Sequence, residues 1–183
     1  MYRNSALIRC AGLLLALLLS SGLSSAATII ATGVDWSRGG TIWIDANGTN
    51  EQAIAGVILI TLNENGQPYD RNTLCVDLFT DINEDQTYGS TVLSPSDVPG
   101  KNLNRVSWLI DNALLPTEPS APSVPSALPQ ADWVTNSAQG AGIQLAIWDI
   151  VHDGGDGFSS GLVQASTDPN NPTDPTVLGW AQT

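Results

Sequence analysis

Along the first half of the chain, runs rich in Ile and Val are separated by Gly, Asn or Asp, the punctuation of strands and turns. Residues 28–34, 41–45 and 53–62 are expected as strands. Residues 53–62 are apolar nearly throughout, which predicts a central strand with both faces covered. Residues 73–79 alternate instead, with Leu74, Val76 and Leu78 on one face and Cys75, Asp77 and Phe79 on the other. A strand here turns Cys75 away from the aliphatic layer of its neighbours. Residues 88–93 and 161–166 carry shorter strand signals.

Two segments change period and predict helices. Leu103, Val106, Ile110 and Leu114 recur at three and four residues, between Pro99-Gly100 and Pro116. The second helix is expected over 137–152, capped by Asn136 or Ser137 and stopped at Gly154-Gly155. Its apolar stripe is Ile143, Ile147, Ile150 and Val151. Gln144, Trp148 and Val151 lie on the adjoining face, so Gln144 sits inside the helix, stacked with a tryptophan. Between the helices, Pro116, Pro119, Pro122, Pro125 and Pro129 exclude regular helix and central strand. Residues 116–129 are expected as an exposed loop that proteases cut first, and residues 167–175, with three more prolines, as a similar stretch. The pattern as a whole predicts a mainly β domain, a sandwich or barrel-like sheet with a helical insertion.

The N-terminus changes the compartment. Arg3 and Arg9 precede an apolar run over 11–19, and small residues follow to Ala27. This is the pattern of a secretory signal peptide over 1–27, cleaved after Ala26 or Ala27, and the apolar run is about half the ~20 residues a spanning helix needs. The mature domain is then 28–183, secreted or displayed at the cell surface, with no membrane-spanning segment. Residues 177–182 read as the start of a further helix, which marks the chain as a candidate fragment, and the sequence assigns no anchor.

Of 6 basic residues two leave with the leader, so four cations face 18 acidic groups, a net charge of −14. Such a surface repels phosphate backbones, which excludes nucleic acid as a partner. The hydrophobic share of 42% excludes wholesale disorder. Cys10 also leaves with the leader, so Cys75 has no partner for an intramolecular disulfide. A lone thiol in a secreted chain is a buried small hydrophobe, an intermolecular bridge or a reactive group.

The residues that carry chemistry are Cys75, within Leu74-Cys75-Val76-Asp77-Leu78, and Gln144, within Ile143-Gln144-Leu145-Ala146-Ile147-Trp148. Here the chain resembles the bacterial thioester domains of surface adhesins, in which an aromatic or Leu residue, Cys and an aliphatic residue are followed much later by a hydrophobic residue, Gln and a Trp four positions on. Val76-Asp77-Leu78-Phe79, Gln86-Thr87-Tyr88, Trp108-Leu109-Ile110-Asp111-Asn112 and 142–150 are similar to the versions on secreted proteobacterial proteins with a PEP-type C-terminal sorting tail. The resemblance spans about 42–153. It implies an internal thioester between the sulfur of Cys75 and the side-chain carbonyl carbon of Gln144, formed with loss of ammonia. Trp148 is expected as a pocket wall. An amine on a target, typically a protein lysine, opens the bond and remains attached through an amide. That is a one-shot attachment, so no enzymatic turnover, cofactor or metal is expected. The chemistry is consistent with the residues, because a thiolate is the competent nucleophile and enclosure beside its target raises effective concentration.

Each element also has an ordinary structural reading. Gln144 can be a satisfied polar residue of a helix, and Trp148 a core residue. His152 near Asp149, Asp153 and Asp156 suggests a metal or a general base, but a histidine at a helix C-terminus is first a favourable charge there. Asp81, Asn83 and Asp85 alternate like the opening of a calcium loop, yet Gln86 and Val92 stand where an EF-hand needs Gly and Glu. Two alternatives to the adhesin reading follow: a non-covalent extracellular ligand-binding β domain with no thioester, and a hydrolase built on His152.

Overall fold

Asn47 and Gly48 both have positive φ, 52° and 78°, and turn the chain through a two-residue hairpin. In the computed structural model, which describes residues 27–64, 66–90, 93, 95–113 and 134–182, this turn joins β1 (Ala27–Ala46) to β2 (Thr49–Glu64). β3 (Gln67–Thr73) returns along the other side of β2. β4 (Thr87–Ser90) and β5 (Val163–Ala165) share the outer edge of β1, pairing with its residues 27–30 and 44–46. The result is one antiparallel sheet in the order β3-β2-β1-β4, with β5 beside the far end of β1. As expected of residues 53–62, β2 is central. The protein is mainly β with helical insertion, and the layer that a second sheet supplies in a sandwich is here helical.

The two strands expected over 28–34 and 41–45 are a single strand. Register jumps between Val34↔Ile58 and Gly39↔Gly56, so three extra residues of β1 bulge out. Asp35 holds the bulge, accepting from Ser37 N at 3.0 Å, Ser37 Oγ at 2.6 Å and Arg38 Nε at 2.7 Å. β2 bends with it. Ala53 and Ala55 face one core, Val57 faces another, and Ile58, Ile60 and Leu62 return to the first.

That bend also corrects the strand expected over 73–79. The last pair of β2 with β3 is Ile58↔Thr73, and beyond it β2 enters the bulge and offers no continuing edge. Residues 74–79 therefore leave the sheet as an open segment, and the strand lies earlier, at Gln67–Thr73. The alternation still holds for its first three residues. Leu74 and Val76 enter one cluster and Cys75 the other. Leu78 then joins the Cys75 side, against expectation, because the segment has no sheet to keep its period.

Three α-helices among the described residues complete the fold: α1 (Leu103–Ala113), α2 (Ser137–Asp153) and α3 (Pro175–Ala181). The expected bounds of α2 are met within one residue. The Asn136 side chain accepts from Gln139 N, and Gly154 closes the helix in the left-handed conformation with its N–H on Asp149 O. α2 is buried on nearly every face. Ala141, Leu145 and Trp148 meet the sheet, while Ile143, Ile147 and Val151 meet Val57, Leu103 and Val106. Gly140 permits this depth, since a Cβ there stands 1.9 Å from the carbonyl oxygen of Arg38 in the β1 bulge. Among the described residues no helix is long and apolar enough to cross a membrane. The expected leader, but for Ala27, and the proline-rich loop 116–129 lie outside the described residues.

Candidate functional site

Gln144 lies on α2 between the residues that face the sheet and those that face α1. The residue it meets, Cys75, occupies the same seam on the segment leaving β3. Gln144 is 0% exposed and Cys75 5%. A carboxamide so enclosed has to find its hydrogen bonds inside the protein, because each unmet group costs about 1–3 kcal/mol. Gln144 finds both on one residue. Its Oε1 accepts from Cys75 N at 2.8 Å, and its Nε2 donates to Cys75 O at 2.5 Å. The Cys75 thiol donates to the backbone carbonyl of Asp77 at 3.1 Å, and Cys75 is in no disulfide among the described residues.

The structure thus brings together the two residues singled out in the sequence, 69 positions apart. Trp148 is fully buried, and it shares the sheet-side cluster with Cys75 and Leu145. Its indole Nε1 has no hydrogen-bond partner among the described residues.

Chemically the arrangement polarises the carboxamide carbonyl. The Cys75 N–H is aimed at the oxygen on which negative charge develops when a nucleophile adds to the carbonyl carbon. The amide nitrogen is held by the Cys75 carbonyl.

Two features beyond the expected pair hold the segment. His152 lies two turns after Gln144, about 12 Å along the helix, and its Nε2 accepts from Leu78 N at 3.3 Å. Residues 75–78 therefore run beside α2, tied at Cys75 by Gln144 and at Leu78 by His152. Phe79 packs edge-on against the imidazole, with ring centroids 4.7 Å apart. Since Nε2 accepts, the neutral ring carries its proton on Nδ1. Burial, and then the positive charge of Lys101, push the His152 pKa down from its ordinary value, against the pull of Asp77 and Asp153. The reading of His152 as a favourable helix-end charge is corrected: its side chain is 7% exposed, and desolvation keeps it neutral near pH 7. Its approach to Asp77 Oδ1, 3.7 Å, is then no ion pair. The alternating Asp81, Asn83 and Asp85 form a turn in which Asn83 Nδ2 donates to Gln86 Oε1, and Tyr88 Oη takes the Asn83 N–H. The tie at His152 was missed because residues 78 and 152 share no local pattern; the single histidine one turn past Trp148 was the available signal.

Compared with protein-family models, with curated proteins and with solved structures, the chain matches none.

Proposed function

We propose that this protein is a secreted or surface-displayed, adhesin-type domain in which Cys75 and Gln144 close an internal thioester for covalent capture of an amine. The observation that carries the reading is the buried pairing of the Gln144 carboxamide with both backbone groups of Cys75. In closure, the Cys75 sulfur adds to the Gln144 side-chain carbonyl carbon, the carbon–nitrogen bond breaks, and ammonia leaves with the thiol proton. A target amine, a protein lysine for example, then adds to the same carbon. The carbon–sulfur bond breaks, the Cys75 thiol is regained, and an amide joins target to Gln144. Each copy reacts once, which separates this function from an enzyme's. The N-terminal leader pattern supports an extracytoplasmic location, and the acidic surface disfavours nucleic acid.

Intact mass of the secreted chain tests the proposal. A deficit of one ammonia, lost in Cys75→Ala and in Gln144→Ala, is expected. A full mass with Cys75 open to alkylation under native conditions overturns it. A second reading, a non-covalent ligand-binding domain, is favoured by one fact: both polar atoms of Gln144 are already satisfied, so the residue works equally as a structural clamp. The hydrolase alternative is disfavoured, because the nitrogen His152 has available as a base already accepts from Leu78 N.

A further inference from the structure

Beyond the Cys75–Gln144 pair, the C-terminal turn of α2 gathers acidic groups. Asp149 and Asp153 lie one helical turn apart, and Gly154-Gly155 bring Asp156 back beside them. Oxygen atoms of the three carboxylates lie within 4.8 Å of one another. Acidic residues at a helix C-terminus are unfavourable by themselves, since the helix dipole there is already negative.

One of the three points to a ligand independently of the clustering. Asp149 is 6% exposed. Its Oδ2 accepts from Gly157 N at 3.3 Å, whereas its Oδ1 is buried without a hydrogen-bond partner among the described residues. A buried carboxylate with one unpartnered oxygen, grouped with two further carboxylates, is a poor arrangement unless a cation completes it. Arg105 of α1 lies nearby, and its guanidinium is committed to the Gly154 carbonyl and packed against Gly155. Three carboxylates against one guanidinium leave two negative charges.

We propose that Asp149, Asp153 and Asp156 bind one calcium ion that ties the C-terminal turn of α2 to the loop feeding β5. The donors are oxygen only, with no thiolate or imidazole among them, which selects a hard divalent cation over zinc or copper. Exposed Asp156 leaves room for the water ligands that calcium needs to reach six or more oxygens. The mechanical link is already built. The Asp153 carboxylate accepts from Leu162 N at 2.9 Å and Val163 N at 2.8 Å, so an ion on Asp153 fastens the helix to the start of β5.

Calorimetric titration of the chelator-stripped protein with calcium chloride, with magnesium chloride as comparator, tests this. One saturable calcium site per chain is expected, with Kd on the order of 10⁻⁴–10⁻³ M as in extracellular modules, together with a rise in thermal midpoint. Asp156→Asn, at an exposed position, is expected to fold normally and to weaken calcium at least about tenfold. Asp149→Asn is expected to raise the midpoint without calcium while abolishing the increment calcium adds. No saturable heat up to about 10 mM calcium, or an affinity unchanged in both variants, overturns the proposal. Failure here leaves the thioester reading untouched, since the mass deficit is measured separately.

Discussion

Gln144 grips Cys75 by its backbone: one amide oxygen takes the Cys75 N–H at 2.8 Å and the amide nitrogen of the same side chain gives to the Cys75 carbonyl at 2.5 Å. The contact does what a strand partner does for a residue in a sheet. It occurs where the chain has just left β3 and needs a substitute. The contact that stabilises the segment also sets the carboxamide beside the thiol-bearing residue, so the proposed thioester would close at the structural clamp itself.

That coincidence makes Cys75→Ser informative. The substitution leaves the Cys75 backbone clamp in place and removes only the sulfur. A closed thioester joins residues 75 and 144, and the loop-entropy relation for a crosslink of that span gives about 4 kcal/mol. Urea unfolding of Cys75→Ser is expected to show a loss of that order beside wild type. A loss under about 1 kcal/mol identifies the pair as an open clamp.

Gln144→Met is the complementary variant. It preserves most of the side-chain volume but strands the Cys75 N–H and carbonyl without partners. Relative to the open protein we expect about 2–6 kcal/mol of destabilisation, from two unmet buried groups at about 1–3 kcal/mol each. Stability equal to wild type contradicts the clamp.

The sole histidine provides a pH signature. Because the folded-state pKa of His152 lies below its ordinary value of 6.5, the folded chain binds fewer protons than the unfolded one just below that pH. The contribution of His152 to stability is thus complete above about pH 6.5 and is lost as pH falls from there through the folded-state pKa. Protonation also ends acceptance from Leu78 N, releasing the segment after Cys75. The single histidine resonance in an NMR titration is expected to have its midpoint below 6.5. A midpoint above it counts against a buried neutral ring.

Gly140→Ala tests the depth at which α2 is seated. In an exposed helix this change is stabilising, by about 1 kcal/mol. Here the added methyl group meets the Arg38 carbonyl at 1.9 Å, and backbone has to move. Destabilisation of about 2 kcal/mol or more is expected in thermal or urea unfolding. A gain in stability shows that the bulge and the helix are farther apart.

Local chemistry decided what could be read from sequence. The span of α2 follows from a capping Asn136 and a left-handed Gly154, both of which act within one turn. The opposed facing of Leu74 and Cys75 follows from extended backbone, and the alternation fails at Leu78, where that backbone bends. Residues 67–73 carry few apolar side chains because β3 lies at the sheet edge, so its pairing with β2 left little trace in the pattern. The continuity of β1 depended on Asp35 folding a polar insertion out of register, which reads in sequence as a break. The motif order named Cys75 and Gln144, but only the tertiary structure decided that an amide meets a backbone. The neutrality of His152 and the orphaned oxygen of Asp149 likewise come from tertiary packing alone. Burial underlies both, and the charge of Lys101 adds to it at His152; these come from neighbours remote in the chain.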